Sequence, residues 1–225
     1  MTSKSLVLSI VFIDVVILAA AALTGTPPDQ YFKEGKAITW LSFVQLLATA
    51  ALSWHIYTLR KNAPESKPQR HLHRLWLIIA AGFVFLAVDE IAGIHEGIDH
   101  LIHAFMNMEE TGLTDRIDDV IVMAYGLVGI GVLYYYRHEL KAFLSALPLL
   151  IVGFTLMFLM VFTDIATNRK DILGLLVSEP FLSSTLFPWL GVMEEGLKIL
   201  AEAAFVGAFF DCSITAKRGR TPGAK

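Results

Sequence analysis

Apolar runs of about eighteen residues or more recur along this chain and restrict it to one class of fold. The first, residues 6–23, holds a single ionisable group, Asp14. In hydrocarbon every backbone N–H and C=O must be bonded within its own segment, so each run is expected to be a helix. The runs fall at about 6–23, 37–59, 75–105, 120–136, 143–163 and 186–210. They predict an all-α integral membrane bundle of six transmembrane helices, a single domain over residues 1–225. Composition agrees, with 55% of residues hydrophobic and 17% charged, where a soluble domain carries about 25% charge.

The first run is long for the core of a signal peptide and has Asp14 at its middle, so it is read as a retained span. With six spans both termini share a side. That side collects twelve Lys and Arg and the opposite side five, which predicts cytoplasmic termini in a multi-pass membrane protein. Trp40, Trp54, Trp76 and Trp189 lie near span ends and are expected to anchor at the interface. No basic, aromatic-interleaved patch speaks for nucleic acid. Cys212 is the only cysteine, which excludes an intrachain disulfide and thiolate metal sites. The bilayer is the expected partner, with a lipid or a peptide as substrate.

Polar groups break into this pattern at few places. The densest is residues 86–103, LAVDEIAGIHEGIDHLIH. Acids in lipid cost several kcal/mol unless paired, protonated or bound to a cation. On a continuous helix Asp89, Glu96, His100 and His103 fall within about 60° of one another. At 1.5 Å per residue, Asp89 lies about 9 Å below the outer face and Glu195 about 13 Å below it. Glu90 and Glu194 adjoin them, and Asp119 and Asp164 end the fourth and fifth spans at the same side. Gly93 and Gly97 are expected to admit the last span closely. Lys198 is expected to pair with Glu194 and Glu202, or with Asp14.

Imidazoles with carboxylates suit zinc, iron or manganese. The expected ligands are Asp89, Glu96, His100 and Glu195, with Glu90 or Glu194 as general base. His95, Asp119 and Lys198 are expected to orient or balance them. His95 and His100 are five residues apart, about 140° on a helix, so the zincin helix does not apply. The expectation is a metal-dependent membrane hydrolase or oxidoreductase. An ion- or proton-coupled transporter with a carboxylate relay is a second reading. A non-catalytic assembly subunit, its polar cluster fixing helix register, is a third.

The order Asp-Glu-x4-His-Glu at 89–96, followed by Glu194-Glu195 in the last span, resembles uncharacterised bacterial polytopic inner-membrane proteins. That resemblance implies architecture and no activity. Separately, Glu194-Glu195-Gly196-Leu197-Lys198 is similar to the Glu-Glu-x-x-Lys motif of PrsW-type intramembrane proteases. There the paired glutamates imply activation of a water with help from later helices, and here the motif lies on the last span.

Overall fold

The computed structural model describes residues 3–62, 72–106, 117–167 and 181–219, and these are helix and turn throughout. In chain order the helices are α1 (Ser3–Thr24), α2 (Ala37–Lys61), α3 (Arg74–Ala92), α4 (Ile94–Met106), α5 (Ile117–Tyr135), the single turn α6 (Arg137–Leu140), α7 (Leu147–Thr167) and α8 (Phe187–Arg218). A 3-10 stretch, Lys141–Ala146, joins α6 to α7. Five segments are long and apolar enough to cross a membrane: Lys4–Thr24, Ala37–Lys61, Arg74–Ala92, Arg137–Asp164 and Ser184–Arg218. The apolar part of α5, Val120–Tyr135, is shorter. This is a membrane protein built from helices alone among the described residues. The interfacial piece expected at 172–177 lies outside them.

The expected third span, 75–105, is two helices. Gly93 adopts φ 58°, ψ 44° and ends α3, a left-handed conformation that glycine accepts without the Cβ penalty. Its N–H donates to the Asp89 carbonyl at 2.8 Å. The first turn of α4 is then capped from behind, the His95 backbone N–H donating to Asp89 Oδ1 at 2.9 Å. The break cancels the angular argument that put Asp89, Glu96, His100 and His103 on one helix face. It also gives Gly93 a different role from the one expected. A Cβ built on Gly97 would meet nothing within 4 Å, so among the described residues no helix is seated in a Gly93/Gly97 groove.

Close helix packing is instead supplied by α8. From Ala201 to Phe209 every residue is buried, as befits a helix enclosed on all sides. Ala201, Ala203, Ala204, Gly207 and Ala208 are small, which lets neighbouring backbones approach. Gly207 lies against Val7 of α1, and a Cβ on Gly153 of α7 would stand 2.6 Å from the Phe205 ring. Between α3, the 3-10 stretch and α8 the core is aromatic: Trp76–Phe143 ring centroids are 4.9 Å apart and Phe83–Phe209 5.5 Å, both edge-on. Such pairs add about 0.5–1.5 kcal/mol beyond the area they bury.

Trp76 is therefore a core residue, 1% exposed, and not the interfacial anchor expected of it. Its indole N–H donates to Glu139 Oε1 at 2.9 Å. The same carboxylate takes two bonds from the Arg60 guanidinium, at 2.7 and 2.9 Å. This forked pair clamps the end of α2 to the start of α6. Trp40, Trp54 and Trp189 are exposed, as anchoring requires.

Candidate functional site

Phe32 sets the first element of the site. It is buried and packs with Ala22, Ile38 and Ile199, which pins the loop between α1 and α2 onto α8. Two residues on, Glu34 is carried to the first turn of α4. There one ligand atom from each of Glu34, His95 and Glu96 lies within 4.8 Å of the others, close enough to hold one metal ion. Behind them, Asp89 Oδ2 is 3.1 Å from His95 Nδ1. With Nδ1–H donated to Asp89, the lone pair of His95 falls on Nε2. A carboxylate behind a histidine fixes its tautomer and raises its basicity as a ligand. Asp89, 5% exposed, thus caps α4 with one oxygen and steers His95 with the other.

The carboxyls of Glu34 and Glu96 crowd each other. A hydrogen bond with Glu96, followed by loss of hydration and by repulsion from Glu96, pushes Glu34 up to about 7 from an ordinary 4.5, against weaker attraction from His95 and Lys198. Two carboxylates sharing a site behave this way, one retaining its proton. Because the folded state holds this proton more tightly than the unfolded chain, its stabilising contribution is complete below about pH 4.5 and is lost as pH rises through about 7. In metal-free protein, replacing Glu34 with glutamine is expected to flatten the fall in thermal stability between pH 5 and 8 seen in the wild type. Equal slopes for the two proteins would show that the carboxyls do not share a proton.

A second group of charges lies on α3 and α8. Lys198 Nζ is 2.9 Å from Glu90 Oε1 and 2.8 Å from Glu195 Oε2. Glu202, 2% exposed, accepts a 2.6 Å hydrogen bond from the Ser42 hydroxyl. Lys198, Glu90, Glu195 and Glu202, with Asp89, Glu34, His95, Glu96, Glu194 and Asp164, line one cavity of about 360 Å³.

The expected residues are redistributed within this frame. Glu96 stands among the three possible ligands. His95, expected behind the ligands, stands in front, and Asp89 has moved from front to back. Glu195, expected on the ion, is engaged by Lys198 and reaches the cavity beside it. His100 is exposed on α4 and does not line the cavity. Glu90 and Glu194 both line it. Lys198 pairs with Glu90 and Glu195, whereas Asp14 accepts a 3.0 Å bond from Gln45 Nε2. The side chain of Asp119 lies outside the described residues. Glu34 was not expected at all. Its signal was present, since an acid in the loop between the first two spans must lie near the ends of the other spans on that side.

A family model described as a domain of unknown function, DUF8692, matches residues 7–213. No curated protein and no solved structure matches the chain. The Glu-Glu-x-x-Lys similarity to PrsW-type proteases gains no support from that match, and here the motif's second glutamate and lysine form an ion pair one turn apart.

Proposed function

We propose that this chain, which belongs to the DUF8692 family of unknown function, is a metal-dependent membrane hydrolase. The ion is held by Glu34, His95 and Glu96, with Asp89 orienting His95. The observation that carries the reading is the convergence of these ligands from two separate elements, backed by the Asp89–His95 contact, at the wall of a cavity. Three protein ligands leave a coordination position for water, whose pKa a zinc-like ion lowers to about 7. Glu194 is the general base in this scheme, because Glu90 and Glu195 are already tied to Lys198. We place the site in the outer leaflet of a six-span protein of the bacterial inner membrane, both termini cytoplasmic. In support, Arg60, Lys61, Arg74, Arg137, Lys141, Lys217 and Arg218 gather at the helix ends remote from the cavity. Titration of zinc or manganese into chelator-stripped protein is expected to reveal one site per chain, lost in a Glu34→Ala, Glu96→Ala double variant. No saturable binding by the wild type would overturn the reading.

A second reading, proton-coupled transport, is favoured by one further observation. Glu202 at the cavity meets Ser42, and Ser42, Gln45, Thr49 and Ser53 form a buried polar stripe along α2 that includes the Gln45–Asp14 bond. Such a stripe could relay protons inward. Its mark is proton uptake by proteoliposomes that Asp14→Asn and Glu202→Gln abolish. Uptake no greater than that of protein-free vesicles would remove it.

A further inference from the structure

A second cavity of about 400 Å³ opens between α3, α5, α7 and α8, and every lining residue except Tyr125 is apolar. It shares a wall with the polar cavity: Leu46, Leu86, Val122, Tyr125 and Met157 border both. On α3 the apolar lining runs from Ile78 to Leu86, about 12 Å along a spanning helix, and the polar lining takes over at Asp89. The long axis therefore follows the helices, as a lipid chain does. Ile78, Phe85 and Val128 at its margin are exposed, so the groove opens where the bilayer lies. A Cβ built on Gly82 would meet nothing within 4 Å, and the groove passes over that glycine.

At the seam between the two cavities stands Tyr125. Its ring is held edge-on by Phe85 at 5.3 Å, and its hydroxyl is buried without a hydrogen-bond partner. Buried hydroxyls ordinarily have a partner, and a donor left open between a polar and an apolar chamber suits the carbonyl that joins a lipid's head to its tail. A peptide in the groove would bring N–H and C=O groups that these walls cannot satisfy.

We propose that the groove binds one acyl chain of a bilayer phospholipid, with its ester carbonyl at Tyr125 and its headgroup in the polar cavity, so that the substrate is a lipid. The proposal rests on the polar cavity being the reactive site and names the substrate class for it. The probe is phosphatidylethanolamine carrying a diazirine near the end of one acyl chain, at trace level in nanodiscs holding the full chain. Photolysis is followed by mass spectrometric mapping and by assay of bound metal. In the wild type, adducts within 78–86 and 122–133 are expected to exceed several-fold those at Leu8 and Phe12, which are more exposed on α1. Gly82→Phe, and independently Val128→Trp, are expected to bring the ratio to parity with metal content unchanged. Parity in the wild type would mean annular lipid only and would overturn the proposal. So would enrichment that persists in both variants, or a dimer in native mass spectrometry that carries no lipid and buries the groove. Wild type that labels in the groove yet binds no metal would sink the metalloenzyme reading while upholding the lipid groove.

Discussion

Replacing His95 with alanine is expected to weaken binding of a divalent transition ion by at least about 100-fold, while Asp89→Asn weakens it by about 10–100-fold. The order follows from the geometry. His95 supplies a ligand atom to the three-residue cluster, whereas Asp89 acts through the ring nitrogen 3.1 Å away. Asparagine retains an oxygen that can accept from the His95 backbone N–H, so α4 stays capped and the loss is confined to the ring's orientation and basicity. His100→Ala, on the exposed face of α4, is expected to leave affinity unchanged. Glu195→Ala is expected to have a small effect, because its carboxylate answers to Lys198. Isothermal titration of the four variants in one detergent checks the series. If His100→Ala weakened binding about 100-fold and His95→Ala did not, the ligand set expected from the sequence pattern would be right and this one wrong.

Lys198→Met is expected to destabilise the protein by about 3–5 kcal/mol, the usual consequence of removing one partner from a buried ion pair. Lys198 is the cation shared by Glu90 and Glu195, whose side chains are 15% and 19% exposed. Methionine fills much the same volume and leaves two carboxylates facing each other in a low-dielectric wall, with Glu202 nearby. Thermal unfolding in detergent should show a lower midpoint, and Lys198→Met with Glu195→Gln should recover part of the loss, since the two positions are coupled. An unchanged midpoint for the single variant would show that the triad contributes nothing to stability.

Much of this architecture is legible in the residue pattern because hydrocarbon leaves the backbone few options. The helical class and five segments long enough to cross a membrane follow from apolar length alone, whereas Val120–Tyr135 is shorter. Depth counting drew Asp89, Glu90, Glu194 and Glu195 to one level, and all four line one cavity. Rotation about the helix axis was not legible in the same way. It presumed that residues 75–105 were continuous, and a single glycine at φ 58° turns the chain between Asp89 and His95. Gly93 is equally at home in a packing pair or a left-handed cap, and spacing does not separate the two. Glu34 escaped because an acid outside the apolar spans carries no burial cost to mark it, and this one arrives from a loop pinned by Phe32. Lys198 had several acids within reach along its own helix, and only packing against α3 could select Glu90.

The proposed function requires a metal ion among Glu34, His95 and Glu96. The full chain should be purified from membranes without chelators and its transition-metal content measured, with X-ray absorption at the edge of whichever metal is found. About one ion per chain is expected, with oxygen and nitrogen neighbours, a single imidazole among them, and no sulfur. A folded wild-type protein that carries no ion and acquires none on incubation with zinc, iron or manganese would contradict it.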